Sequence, residues 1–151
     1  MDGYETMRML GSGAYATVFL ARRTSDGQLV ALKRHMASIA SPALHPAQAS
    51  QTLTEARLLG SLKHPSIIPV LDAFLDSKGR LVLALEYEEG GSLSAALGQR
   101  HPAGLQEEEV WSLAAQLCSA LRYAHRRAIL HRDVTPHNIL LKAPLAGGEL
   151  P

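Results

Sequence analysis

A chain of 151 residues, 46% of them hydrophobic, can bury one ordinary core and has the length of a single globular domain. Fifteen basic against fourteen acidic side chains produce no field that would recruit nucleic acid or an anionic membrane surface, so neither partner is expected. No apolar run approaches the roughly 20 residues that cross a bilayer, the N-terminus has no signal-like segment, and the single Cys118 cannot close an internal disulfide, so a soluble cytoplasmic protein is expected, with nuclear or cytoskeletal placement as alternatives.

"YETMRMLGSG" and "ATVFLARRT" alternate with the period of strands, and "QLVALKRH" follows a turn at Ser25-Asp26-Gly27, which predicts three antiparallel strands with short connections. The next stretch, "MASIASPALHPAQAS", holds two prolines and no period, and reads as a surface loop. From Thr52 the period turns helical, with Glu55, Leu58, Leu59 and Leu62 at i, i+3, i+4 and i+7, so a carboxylate falls on the apolar face. "SIIPVLDAFLD" and "RLVLALEYE" pair around Ser77-Lys78-Gly79, bringing the sheet to about five strands, and "EEGGSL" precedes a short helix. Glu107 to about Arg127 carries the clearest helical stripe: Val110, Leu113, Ala114, Leu117, Cys118, Leu121 and Ala124. Its "EEE" start suits the positive end of the helix dipole, and Cys118, on the stripe, is expected to pack rather than react.

The chemistry begins at "GSGAYATV", where the first strand turns into the second. Gly11 and Gly13 can take backbone angles that other residues avoid, and without a Cβ they let the backbone approach phosphate oxygens; an ordinary glycine-rich hairpin reads the same way. No GxxxxGK[ST] is present, and the element after the glycines is a strand, which argues against a P-loop and a Rossmann fingerprint. On the third strand Lys33 shares a side with small Ala31, where it could reach phosphates beneath the glycine loop. Glu55 has two readings: it completes the capping-box pattern "TLTE", and it lies on the apolar stripe where it could pair with an internal cation. In "HRDVTPHN", Asp133 and Asn138 stand five residues apart across a loop expected to be kept extended by Pro136, a spacing that can set a base beside a metal ligand. His125, His131 and His137 lie six apart, without helical spacing or a cysteine partner, so zinc is not expected.

Taken in order, "GSGAYATV", "VALK", "LALEYEEGGSL" and "HRDVTPHNILL" resemble the nucleotide-covering loop, phosphate-anchoring strand, hinge and catalytic loop of the eukaryotic protein kinases, and "LEYEEGGSL", "AILHRD" and "NILL" resemble the NIMA-related serine/threonine branch. The resemblance implies an α+β fold: a kinase N-terminal lobe and hinge over residues 1–88, and the first helices and catalytic loop of a helical lobe over 89–151. It implies ATP and Mg2+ as cofactors and a protein as substrate. Leu10, Gly11, Ser12, Gly13 and Ala14 would cover the nucleotide, Val18 and Ala31 would lie above the adenine and Leu140 below it, and Leu85 would be the gatekeeper. The backbones of Glu86 and Glu88 would bond the adenine edge. Lys33 would hold phosphates, oriented by Glu55; Asp133 would accept or orient the substrate hydroxyl proton; Asn138 would hold one magnesium.

Three departures stand out. Ala16 replaces the third glycine of the loop, which is expected to weaken nucleotide affinity. Thr135 stands where serine/threonine kinases have a lysine that offsets phosphate charge. No Asp-Phe-Gly follows Leu141, so a partial kinase domain is expected, whose apolar helix could take a partner or a second copy. The rival reading is a non-catalytic, kinase-derived module that binds a nucleotide or a partner.

Overall fold

The computed structural model describes residues 3–38, 53, 56 and 60–145. They fall into two compact units, one holding the chain up to Lys63 together with Ile67–Tyr87, the other holding His64–Ser66 together with the chain from Glu88.

In the first unit, β1 (Tyr4–Ser12), β2 (Ala16–Arg23), β3 (Leu29–Ser38), β4 (Val70–Leu75) and β5 (Arg80–Glu86) form one antiparallel sheet in the order β1-β2-β3-β5-β4. β3 runs farther than its sequence pattern predicts, through Met36-Ala37-Ser38, because the Met36 N–H finds Tyr15 O at 2.9 Å and Ser38 pairs with Arg80. The first residues of the supposed Ala/Ser/Pro loop therefore belong to the sheet; residues 39–50 lie outside the described ones.

The two-residue period sorts side chains between faces. Val30, Leu32, Val82 and Ala84 form one core with Tyr4 and Ala21, joined by Phe19, Leu71 and Phe74. Val30, Leu32 and Val82 are wholly buried, which contributes about 1.5–3 kcal/mol each before the entropy of ordering them is counted. Tyr4 and Phe74 stack with ring centroids 5.6 Å apart, yet their strands sit at opposite edges of the sheet, about 19 Å apart if it were flat. The sheet is therefore strongly curled around this core. Burial, and then the neighbouring Asp72 carboxylate, push the Tyr4 hydroxyl pKa up.

The opposite face carries a second cluster of Ala56, Ala73 and Leu81, with Leu53, Leu75 and Leu83 against it. Leu53 and Ala56 are helical, as the apolar period from Thr52 predicts, while Glu55, Leu58 and Leu59 lie outside the described residues. Two tight hairpins fix the register. Arg23 holds Asp26 at 2.6 Å beside Gly27 (φ 75), and Asp76 accepts from the backbone N–H groups of Lys78 and Arg80 beside Gly79 (φ 70).

The second unit contains α1 (Leu93–Gln99) and α2 (Glu107–His125). Ser92 caps α1 by accepting from Ala95 N at 3.2 Å. At the start of α2, Glu109 accepts from Gln106 N at 2.9 Å and from Arg100, whose guanidinium holds the Glu109 carboxyl below its ordinary pKa. The helix stops at His125, two residues short of the expected end, where the chain turns through Ala128 (φ 59) and Ile129 N returns to Ala124 O.

Only part of the expected stripe on α2 is covered. Ala120 and Ala124 are buried and Leu113, Leu117 and Leu121 half-buried, whereas Val110, Ala114 and Cys118 are exposed. Cys118 is thus not a packed core residue: it sits about 100° round the helix from Leu117, off the buried line. Half-buried Ser119, away from that line, meets His64, whose Nδ1 accepts from Ser66 N at 3.1 Å, so Nε2 carries the proton and donates to Ser119 Oγ at 3.0 Å. Among the described residues no helix is long and apolar enough to cross a membrane.

Candidate active site

The glycine loop is the turn between β1 and β2. Ser12 pairs with Thr17 as its last rung, and Gly13 N donates to Ala16 O at 2.9 Å. Neither Gly11 nor Gly13 adopts a positive φ; a Cβ at Gly11 would meet nothing within 4 Å, and one at Gly13 only Ala16 O at 3.9 Å. Conformational freedom is therefore not what these glycines supply. They leave bare, exposed backbone, joined by exposed Ser12 and Ala14, that an anion could approach closely. Ala16 also keeps an ordinary φ, in β2 opposite His35, so its methyl strains nothing.

The register lays out the face beneath the loop. Gly11, Val18, Lys33 and Leu83 form one row across the sheet, and Leu20, Ala31 and Leu85 the next. Val18, Ala31, Lys33 and Leu85 consequently share a face, the one on which Ala56 and Leu53 also pack. The buried methyl of Ala31 keeps this surface shallow beside half-buried Val18 and Leu85, and Leu10 is half-buried at the loop's entry. His35 stands one row beyond Lys33; burial, and then the Lys33 ammonium, push its pKa down, so the imidazole is held neutral beside the lysine. Glu86 N donates to Pro69 O at 3.1 Å, so a hydrogen bond from this exposed residue to a ligand has to use its carbonyl; Glu88 is half-buried. Glu55 lies outside the described residues.

In the second unit the loop from His131 to Asn138 is organised by short-range hydrogen bonds. Arg132 takes a left-handed conformation (φ 62), and Asp133 N donates to His131 Nδ1 at 3.3 Å. Pro136 does not keep the loop extended: Asn138 N returns to Thr135 O at 2.9 Å, closing a turn with Pro136 second, where its fixed φ is favourable. That turn carries the Asn138 side chain back to Asp133, where Nδ2 donates to Oδ2 at 2.8 Å and to the carbonyl at 3.0 Å.

The loop is docked by the stretch that in the sequence precedes a short helix and resembles the end of the hinge. Leu93 N donates to Ile139 O at 2.8 Å, Ser94 N to Pro136 O at 3.0 Å, and Leu141 N to Gly91 O at 2.8 Å. Ser92 bridges Leu140, whose side chain is 37% exposed between half-buried Ile139 and buried Leu141. Gly91 has φ 67, and a Cβ on Gly90 would lie 2.3 Å from Leu141 O. "GG" was the available signal: two glycines where backbones touch.

Asp133 is exposed, and with one carboxylate oxygen tied by Asn138 its carboxylate is held in a fixed orientation open to solvent. The Asn138 amide nitrogen is committed to Asp133, which leaves its carbonyl oxygen, a hard ligand suited to Mg2+. Among the described residues no group of three or more His, Cys, Asp or Glu side chains could hold a metal. Thr135 is half-buried and offers only a hydroxyl.

Comparison with known proteins shows the family. The family model described as "Protein kinase domain" matches residues 4–145. The chain is 34% identical over 143 residues to the probable serine/threonine-protein kinase nek3 of Dictyostelium discoideum, covering 93% of this chain and 12% of that protein. It is 36% identical to serine/threonine-protein kinase 36 of Pongo abelii and 35% to serine/threonine-protein kinase Nek8 of Danio rerio, each over 141 residues and 93% of this chain, and over 10% and 20% of those proteins. The chain thus spans about a tenth to a fifth of the length of these relatives.

Proposed function

The chain belongs to the protein kinase domain family, and from that premise we propose that it serves ATP-dependent phosphoryl transfer to serine or threonine hydroxyls of proteins. The observation that carries the reading is the Asp133–Asn138 pair, a carboxylate aimed by an amide on a loop docked along its length. In this reading the glycine loop and Lys33 bind the phosphates, Val18, Ala31 and Leu85 face the adenine from the sheet, and Leu140 is a further adenine contact. The Glu86 carbonyl and the Glu88 backbone read the adenine edge, Glu55 orients Lys33, and Asp133 orients the substrate hydroxyl and takes its proton. Mg2+, held in part by Asn138, would offset phosphate charge when bound.

A second reading is favoured by a specific observation: Thr135 supplies no positive charge beside Asp133. On that reading the chain binds nucleotide or a partner without catalysis. The exposed Val110 and Trp111 on α2 support a partner, or a second copy, at that helix.

Titration with a fluorescent ATP analogue, followed by a phosphate-transfer assay, separates the readings. Lys33→Ala should weaken the analogue about tenfold, as loss of one charge-assisted hydrogen bond does, and Ala31→Trp should block it; unchanged binding in both refutes the nucleotide site. Transfer is expected from a version continued through the Asp-Phe-Gly segment and helical lobe of a related kinase, abolished by Asp133→Ala. Analogue binding without transfer by that extended version would favour the non-catalytic reading.

A further inference from the structure

We propose that Met36 is an oxidation site whose sulfoxide stiffens the glycine loop, an inference that rests on the nucleotide-binding reading of that loop for its functional consequence. Met36 holds the loop twice. Its N–H donates to Tyr15 O at 2.9 Å, and its thioether sulfur accepts from Thr17 Oγ1 at 3.7 Å. Thr17 is a buried polar residue, 7% exposed, and its hydroxyl oxygen lies 3.3 Å from Ser12 Oγ. The threonine has one hydroxyl proton; with that proton on sulfur, Ser12 must be the donor in the second contact. Ser12, Thr17 and Met36 therefore form a directed chain from β1 through β2 to β3 across the base of the glycine loop.

The chain ends on its weakest acceptor. A thioether accepts poorly, whereas a sulfoxide oxygen accepts strongly, and Met36 is 52% exposed and open to dissolved oxidant. With hydrogen peroxide as oxidant, a sulfur lone pair attacks one peroxide oxygen, an S–O bond forms and the O–O bond breaks. The departing oxygen leaves as water with both protons; sulfur has lost two electrons and peroxide has gained them. Methionine sulfoxide reductase, drawing on a dithiol, reverses the change. The new oxygen gives the buried Thr17 hydroxyl a stronger partner and ties the end of β3 more firmly to the loop.

The test uses peroxide-treated chain with mass-spectrometric location of the added oxygen, amide exchange over residues 11–17, and dissociation of the fluorescent ATP analogue. Oxidation at Met36 should slow loop exchange roughly fivefold, the worth of one net hydrogen bond, and slow analogue release by a similar factor. Reductase should reverse both effects. Met36→Leu and Thr17→Val should abolish them, and Thr17→Ser, which keeps the hydroxyl, should retain them. Met7 and Met9, 49% and 59% exposed on β1, are internal controls whose oxidation should leave the loop unchanged. The proposal is overturned if Met36 stays reduced while Met7 and Met9 convert, if its sulfoxide leaves exchange unaltered, or if Thr17→Val responds as the parent does. Slowed exchange in a chain that binds no analogue in either form would support the latch and refute the nucleotide reading.

Discussion

The side-chain amide of Asn138 donates to Oδ2 of Asp133 at 2.8 Å, reaching back five residues across the Pro136 turn. Both residues are exposed, so packing does not set the carboxylate's orientation; this hydrogen bond does. In the extended, transfer-competent version, Asn138→Ala should lower kcat on the order of a hundredfold or more, the usual cost of losing one positioned polar partner, with little effect on thermal stability. Single-turnover phosphate transfer and a melting curve measure the two. A variant that keeps its rate would show that Asp133 is held by something else.

Gly90 and Gly98 lie eight residues apart and predict opposite outcomes. A Cβ on Gly90 would meet Leu141 O at 2.3 Å and the Ala143 carbonyl at 2.6 Å, both backbone, whereas one on Gly98 in α1 meets nothing within 4 Å. Gly90→Ala should destabilise the second unit by about 1–3 kcal/mol, as overpacking does, and speed amide exchange at Leu93 and Leu141, whose N–H groups dock the loop. Gly98→Ala should stabilise it by up to about 1 kcal/mol through helix propensity. Equal stability of the two variants would mean that the close approach at Gly90 yields without cost.

Much of the fold was legible because its signals are local. The strands alternate, both hairpins carry turn residues, and α2 announces itself by period and acidic start. What escaped the sequence depends on partners distant along the chain. β3 extends to Ser38 because the glycine loop and β5 offer it hydrogen bonds, which no propensity in "MAS" reveals. Cys118 is exposed because the buried line of α2 is narrower than its apolar stripe, and only the tertiary neighbours decide which edge is covered. At the site, residue types and spacing suggested Asp133 and Asn138, but the turn that joins them and the glycine pair that docks their loop are backbone events. His35 carries no sequence signal, since its depressed pKa follows from burial, and then from the register that sets it near Lys33, rather than from composition.

Asp76 offers a test by pH. Its side chain is 6% exposed, and that burial alone would raise its carboxyl pKa; hydrogen bonds from the Arg80 guanidinium and from the N–H groups of Arg80 and Lys78 outweigh it and hold the carboxyl below the ordinary carboxylate range. A folded pKa below the unfolded one means that the Asp76 contribution is fully present above the unfolded value, near 3.9, and is lost as pH falls through the folded value. The stability difference between the parent and Asp76→Asn should therefore be flat from neutral pH down to about pH 5 and shrink below that. Denaturant melts at a series of pH values measure it; a difference that grows on acidification would contradict the hydrogen-bonded carboxylate.

Trp111 is the chain's one tryptophan and is 67% exposed, with its Nε1 donating to Glu107 Oε1 at 3.2 Å. With Val110, Ala114 and Cys118 it forms an apolar flank on α2 that the described residues leave open, so the indole reports directly on whatever covers that flank. In dilute solution its emission should lie at the long-wavelength end typical of a hydrated indole and be quenched by iodide. If the flank takes a second copy, raising the concentration should shift the emission to shorter wavelength and protect it from quenching, because association removes water from the ring. Val110→Lys places a charge in the middle of that contact and should abolish the concentration dependence without altering the dilute spectrum, since its side chain is already 48% exposed. Sedimentation of both proteins gives an independent reading of mass. A parent that stays monomeric with unchanged emission across the range would refute self-association through α2.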